Sequence, residues 1–423
     1  MIGVAGRVRS VLADTTPLRT PAYRRLWVAG IVTVVGAQLT VVAVPLQVYA
    51  LTRSSAYVGL TGVFALVPLV VFGLWGGALA DAVDRRTLLL ISTVGIGVTS
   101  LAFWAQAAAG VDSVWLVLVL LAVQTAFFGI SSPTRSAIIP RLLPADQVTA
   151  ANALNMSVFQ LGAIVGPVLG GVALGFTSLS TLYLVDTVLL LATLYAVLRL
   201  PAVPPTVVGR RAGLREVLDG FRHLAGHTVL LASFVVDIIA MVLGMPRALF
   251  PEMAVQSFGA PDGGGTALGL LFAGIGIGAL AGGVFSGRLP GVRRQGVAVL
   301  ASIAVWGLCM VGFGLAAGAG VLWLAVAFLA VGGAADTVSS VYRSTILLQA
   351  ADDEVRGRLQ GVFTVVVAGG PRLGDVTHGA AAAVVGTTAA AAGGGVLVLV
   401  GVVVAAVAMP AFVRYRVVSR AAA

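Results

Sequence analysis

Twelve apolar runs, each near the roughly 20 residues that carry a helix across the hydrocarbon core of a bilayer, follow one another along this chain with short connectors between them. They lie near Trp27–Leu51, Val58–Ala80, Leu88–Ala109, Val114–Ile138, Val148–Phe176, Leu179–Leu198, Val229–Val255, Thr266–Phe285, Val297–Ala317, Val321–Leu348, Leu359–Val385 and Ala389–Val413, and are spans 1 to 12 in chain order. Only 10% of the residues are charged and 59% are hydrophobic, against about 25% charged in soluble domains. No single water-solvated core absorbs that much apolar surface, so lipid is the natural solvent for it. The first run is too long for a cleavable leader and should stay as an anchor.

The net charge of +10 does not point to nucleic acid, because the basic residues form no single patch. They sit in alternate connectors: Arg7, Arg9, Arg19, Arg24 and Arg25 before span 1, Arg85 and Arg86 after span 2, Arg141 after span 4, Arg210, Arg211, Arg215 and Arg222 after span 6, Arg293 and Arg294 after span 8, Arg356 and Arg358 after span 10. The opposite side carries only Arg53 and Arg247. The positive-inside rule then puts both termini in the cytoplasm. In the central connector, Leu214, Val217, Leu218, Phe221 and Leu224 recur at helical spacing. They predict an amphipathic helix at the cytoplasmic interface, either a plain linker or a lipid- or partner-binding segment.

The chain also repeats itself. Arg135 near the end of span 4 is matched by Arg343 near the end of span 10, 208 positions on, and Gly166-Pro167 in span 5 by Gly370-Pro371 in span 11, 204 positions on. The residues from Gly76 to Arg86 after span 2 are matched by Gly282 to Arg294 after span 8. Two parallel halves of six helices occur in secondary transporters, with the substrate site between them near the midplane. The expected organisation is an all-α membrane protein of two pseudo-symmetric six-helix bundles, 1–200 and 228–423, joined by a cytoplasmic linker at 201–227.

Three motifs resemble the major facilitator superfamily. Gly77-x-Leu79-x-Asp81-x-x-Asp84-Arg85-Arg86, between spans 2 and 3, resembles its signature loop, which implies a cytoplasmic gate latch; Ala82 and Asp84 depart from the usual pattern, and Gly287 replaces the acid in the second copy. The carboxylates there can pair with Arg85, Arg86 or a neighbouring helix. Gly162-x-x-x-Gly166-Pro167-x-x-Gly170-Gly171 in span 5 resembles the superfamily's antiporter motif. Glycines at that spacing make a smooth packing face, and export is what the resemblance adds. The stretch from Phe128 through Arg135 to Pro144, leading to Asn152 and taken with Pro21 to Trp27, is similar to the enterobactin-exporter and multidrug-efflux branch. The resemblance implies a multi-pass protein of the bacterial inner membrane that exports a siderophore, drug or amphiphilic metabolite by alternating access.

Charges inside spans are candidate functional groups by default. Asp237 in span 7 has no basic residue within two turns on its own helix, the nearest being Arg247. An isolated carboxyl there would suit a group that binds and releases a proton; the alternative is a pair with an arginine from another helix. Arg372 and Asp375 in span 11 stand at i and i+3 and can pair along one face, with His378 beyond; span 5 has Val168 and Gly171 at the matching places. They fit proton coupling, a charged cargo, or a self-contained ion pair. In the superfamily, spans 1, 4, 7 and 10 line the cavity, which adds Asp336 to the proton-coupling and cavity candidates, and Gln38 and Gln124 to the cavity. Asp186 in peripheral span 6 reads as a polar interhelical contact, and Arg135 and Arg343 as anchors of their helices.

No phosphate-binding GxxxxGK[ST] is present, the three histidines form no metal-ligand set, and no nucleophile–base set is legible. The sequence therefore implies no enzyme activity, cofactor, metal or nucleic-acid partner, and predicts a small-molecule substrate, protons and membrane lipids as partners. An importer or facilitator of the same fold is the alternative. A membrane sensor or scaffold would usually carry a sizeable soluble domain, and the longest polar connector is only 201–227. Oligomeric state is not legible, and a monomer suffices.

Overall fold

The computed structural model describes residues 14–174, 176–204, 224, 227–261, 265–285, 292–350 and 353–416; the surroundings of Gly77 and the side chains of Asp81 and of 353–365 lie outside the description. The helices are α1 (Pro21–Thr52), α2 (Ser55–Ala82), α3 (Arg85–Ala108), α4 (Val114–Leu142), α5 (Val148–Leu174), α6 (Leu179–Leu198), α7 (Thr228–Gly244, then Phe250–Gln256), α8 (Gly265–Phe285), α9 (Gln295–Gly318), α10 (Leu322–Ala350), α11 (Asp353–Val385) and α12 (Thr387–Ala408). Each apolar run of the sequence falls on one of them. Among the described residues there is no strand, and ten helices are long and apolar enough to cross a membrane. Of the other two, α5 contributes Ile164–Leu174 as its apolar stretch among the described residues, and α11 carries Arg372 and Asp375 within its length. The predicted linker helix Leu214–Leu224 lies outside the described residues apart from Leu224.

Two helices differ from the sequence expectation. α1 starts at Pro21, where proline is well placed at a first helical position. The seventh run is broken: helix stops at Gly244 and a 3-10 turn spans Arg247–Leu249 before helix resumes. Pro246 explains the break, since it lacks an N–H and disfavours helix in Met245 before it, while Pro251 sits in the first turn of the resumed helix, where its missing N–H costs nothing. The turn after α3 uses Gly110 at φ 64° and the turn after α9 uses Gly320 at φ 69°, a left-handed conformation that glycine adopts freely.

The packing repeats with a period of six helices. α1 packs on α5 and α6, and α7 on α11 and α12; α4 packs on α2 and α3, and α10 on α8 and α9; α3 lies on α6, and α9 on α12. Two large contacts cross between the first six helices and the last six: α2 with α11 and α5 with α8. Inside, aromatic and aliphatic side chains close the core, among them Phe103, Tyr183, Trp306 and Phe313; Cys309 is buried with them. Outside, Val98, Leu191, Leu308 and Val407 are mostly exposed. Such a continuous apolar exterior suits lipid and would be a liability in water. The chain is an all-helical, multi-pass membrane protein.

Candidate functional site

Asp237 is not isolated. It lies on α7 against α10, where Arg343 forms an ion pair with it, and Asp336, two turns before Arg343 on α10, stands 3.8 Å from the same guanidinium. The side chains of Asp237 and Arg343 are only 2% and 4% exposed, that of Asp336 31%. Arg343 is therefore more than a helix anchor: it compensates two acids. Removing charges from water is costly and is offset only by close pairing. Two carboxylates sharing one guanidinium leave one negative charge over, and a single proton would neutralise it. Ser339, on the α10 face between the two charges, buries its hydroxyl without a partner.

On α11 the expected Arg372–Asp375 pair is replaced by another. Asp375 accepts a hydrogen bond from Arg247 at 3.3 Å, in the broken part of α7, and one from the Ala248 backbone. The break delivers Arg247 to α11, which a continuous helix would not be expected to do. The same stretch of α11 forms the contact with α2: a Cβ at Gly59 would stand 2.7 Å from the Asp375 carbonyl, and one at Gly62 would strike the Arg372 carbonyl. His378 is buried, with Nδ1 3.0 Å from the Gly374 carbonyl.

In the first six helices the polar residues bond mainly to one another. Asp186 accepts hydrogen bonds from Thr40 at 2.7 Å and Ser100 at 3.1 Å, as an interhelical polar contact should. Gln124, expected to face a cavity, donates to Ser100 at 2.9 Å, so its amide is committed to the bundle interior. Gln38 is half-buried and its Cβ fills the space left by Gly166. A further network, Gln47 with Gln106 and Tyr183, was not singled out in the sequence; its only signal was two glutamines inside apolar runs.

The signature loop holds one end of this half together. Asp84 caps α3, accepting from Thr87 N–H at 2.9 Å and from Val203 N–H at 2.8 Å. Arg85 donates to the Ala137 carbonyl on α4 at 3.2 Å, and Arg86 to the Leu198 carbonyl at 2.8 Å. Asp84 is thus bonded to backbone rather than paired with Arg85 or Arg86, and the side chain of Asp81 lies outside the description. Burial pushes the Asp84 carboxyl up, but the hydrogen bonds from Thr87 and Val203 outweigh it and hold it below the usual carboxylate range. Its stabilisation is complete above about pH 4 and is lost as pH falls through its own lower value. Asp84→Ala should cost about 0.5–2 kcal/mol at neutral pH, read as a lowered melting temperature in detergent; the difference from wild type should shrink in acid.

The span 5 motif is a packing face. Gly162 admits Val34 and Gly166 admits Gln38, both on α1, while Gly170 meets Leu39. Gly171 turns the other way and meets Gly269 of α8, backbone against backbone. Pro167 lies inside α5 and its carbonyl would stand 2.7 Å from a Cβ at Gly269. Further polar contacts between the first six helices and the last six lie where α1 ends and α2 begins: Ser55 donates to Glu252 at 2.5 Å and Gln256 to Tyr49 at 3.0 Å.

Residues 12–421 match the model of a family described as transmembrane secretion effector. The chain is 30% identical over 375 residues to the enterobactin exporter EntS of Citrobacter koseri and 31% identical over 382 residues to that of Shigella boydii, each alignment covering 86% of this chain and 86% of the relative. Among solved structures, it superposes on a bacterial homologue of the human lysosomal transporter Spinster, in an inward-facing, unoccupied conformation, with TM-score 0.70 at 14% identity over 95% of this chain and 97% of the other. The nucleoside transporter NupG gives TM-score 0.71 at 16% identity, covering 93% and 99%.

Proposed function

The chain belongs to the transmembrane secretion effector family of the major facilitator superfamily, and from that premise we propose that it is a proton-coupled exporter of a siderophore, drug or amphiphilic metabolite. As a member it is a transport protein and not an enzyme. Twelve spans form two six-helix bundles, 1–200 and 228–423, with 201–227 as linker and both ends of the chain in the cytoplasm. The six-helix period of the packing supports this division, as does the exchange of partners across the seam, α2 with α11 and α5 with α8. The bundles rock about a cavity near the midplane.

The observation that carries proton coupling is the buried cluster of Asp237, Asp336 and Arg343. Its surplus negative charge provides a place for one proton. The Arg247–Asp375 pair lies at the α2–α11 seam, where rocking of the halves would strain it, and serves as a second candidate. Export direction draws on the likeness to enterobactin exporters and on the span 5 motif; the fold alone does not set it, since a D-xylose–proton symporter superposes with TM-score 0.68.

The test is transport into inverted membrane vesicles, with enterobactin as the first cargo. Acidifying the vesicle interior should drive accumulation above the equilibrium level, a protonophore should collapse it, and Asp336→Asn should blunt the response to the gradient. Accumulation that ignores the imposed gradient removes the proton claim. Reduced uptake in cells lacking the protein would instead support an importer.

A further inference from the structure

Arg135 on α4 and Arg343 on α10 are duplicates, 208 positions apart, but their surroundings differ. Arg343 is compensated by Asp237 and Asp336. Stepping back by nearly the same interval, Gly30 lies 207 positions before Asp237 and Phe128 lies 208 before Asp336. The contact survives the duplication: a Cβ at Gly30 would stand 3.3 Å from Arg135 Nη1. α1 thus meets the arginine of α4 where α7 meets that of α10, with a hydrogen atom in place of a carboxylate. Among the described residues no hydrogen bond or ion pair reaches Arg135, which is half-buried.

Trp27 supplies an independent sign. One turn before Gly30 on α1, it buries its indole Nε1–H without a partner and packs on the cluster that contains Ile139, one turn beyond Arg135. An unsatisfied donor on α1 therefore lies one turn from the Gly30–Arg135 contact, on the cluster beside it. An uncompensated guanidinium inside a bilayer-spanning helix is costly, and its natural complement is a planar oxyanion held by the guanidinium fork.

We propose that Arg135, with Trp27, binds an anionic oxygen group of the cargo, a carboxylate or equivalent oxyanion, in the first half of the molecule. This deepens the transport reading and rests on it: the second half handles the proton and the first half the cargo's charge. An anionic lipid headgroup has the same chemistry and is the competitor to be separated.

Salicylate serves as probe, its uncharged amide as comparator, with the full chain in phosphatidylcholine nanodiscs. Salicylate should bind about tenfold or more tightly than salicylamide. Arg135→Gln should remove that preference and Arg135→Lys should keep part of it. Gly30→Asp, which gives Arg135 the counterion its duplicate has, should also abolish salicylate binding while leaving the melting temperature at or above wild type. Salicylate binding unchanged by Arg135→Gln and Gly30→Asp overturns the proposal. So does a site that ignores salicylate while phosphatidylglycerol raises the melting temperature of wild type but not of Gly30→Asp, which would assign the place to lipid. Failed export with salicylate binding intact would remove the transport reading and leave this site standing.

Discussion

Arg343→Met is expected to destabilise the protein by about 3–5 kcal/mol, because it strands Asp237 in the interior without its cation. The loss should appear as a large drop in melting temperature in detergent and in the yield of monodisperse protein. Asp237→Asn should cost less, since Asp336 remains to compensate Arg343 at 3.8 Å. The decisive variant is the double one, Asp237→Leu with Arg343→Met. It removes both buried charges at once and leaves Asp336, which is partly exposed, free to meet water. It should recover most of the lost stability while abolishing the response to a pH gradient. A double variant as unstable as Arg343→Met alone would mean that Arg343 acts through something other than Asp237.

Gly171→Val should part α5 from α8. The new Cβ would meet the backbone of Gly269, and backbone has no rotamer with which to yield. Overpacking that the structure absorbs typically costs about 1–3 kcal/mol; here the cheaper response is for the two halves to separate at this end. A cysteine at Gln256, which bonds Tyr49 across the same end, should then react faster with a membrane-impermeant maleimide. Cys309 is the only native cysteine and is buried, so background is low. Gly393→Val makes the control, as a Cβ there meets nothing within 4 Å, and should change stability by about 0.5 kcal/mol or less. Equal labelling in Gly171→Val and wild type would show that the seam absorbs the side chain.

What was legible in the sequence follows from range. A span needs only a local run of apolar residues, and each run lies on a helix. The packing face from Gly162 to Gly171 depends on residues a few positions apart, and its spacing is visible in the sequence; the cap at Asp84 is not, because the adjacent Arg85 and Arg86 offer themselves as partners while one of its acceptor bonds comes from distant Val203. The partners of the charges were not. Asp237 has no basic neighbour on its own helix, and the sequence leaves open whether an arginine of another helix pairs with it, as Arg343 does; local spacing offers Arg372 to Asp375, whereas Arg247, on a different helix, reaches it. Pro246 is the available signal for the break that makes this possible. Span number offers Gln124 to a cavity but cannot say which face of α4 it occupies. The duplication of Arg135 and Arg343 was visible, but the difference between them emerged only once α1 and α7 were seen against them.

The pairing of α7 with α10 has a consequence for how the chain is made. Asp237 leaves the ribosome 106 residues ahead of Arg343, which at about 5–20 residues per second is a delay on the order of 5–20 s. For that interval the membrane must accept a lone acid, at a cost of about 2.5–3.5 kcal/mol at mid-helix on the insertion scale. Within Thr228–Gln256 an 18-residue stretch has a mean hydropathy of 2.3, enough apolar weight to carry the acid in. The order of synthesis thus requires the seventh segment to enter on its own greasiness and to collect its counterion later, inside the bilayer.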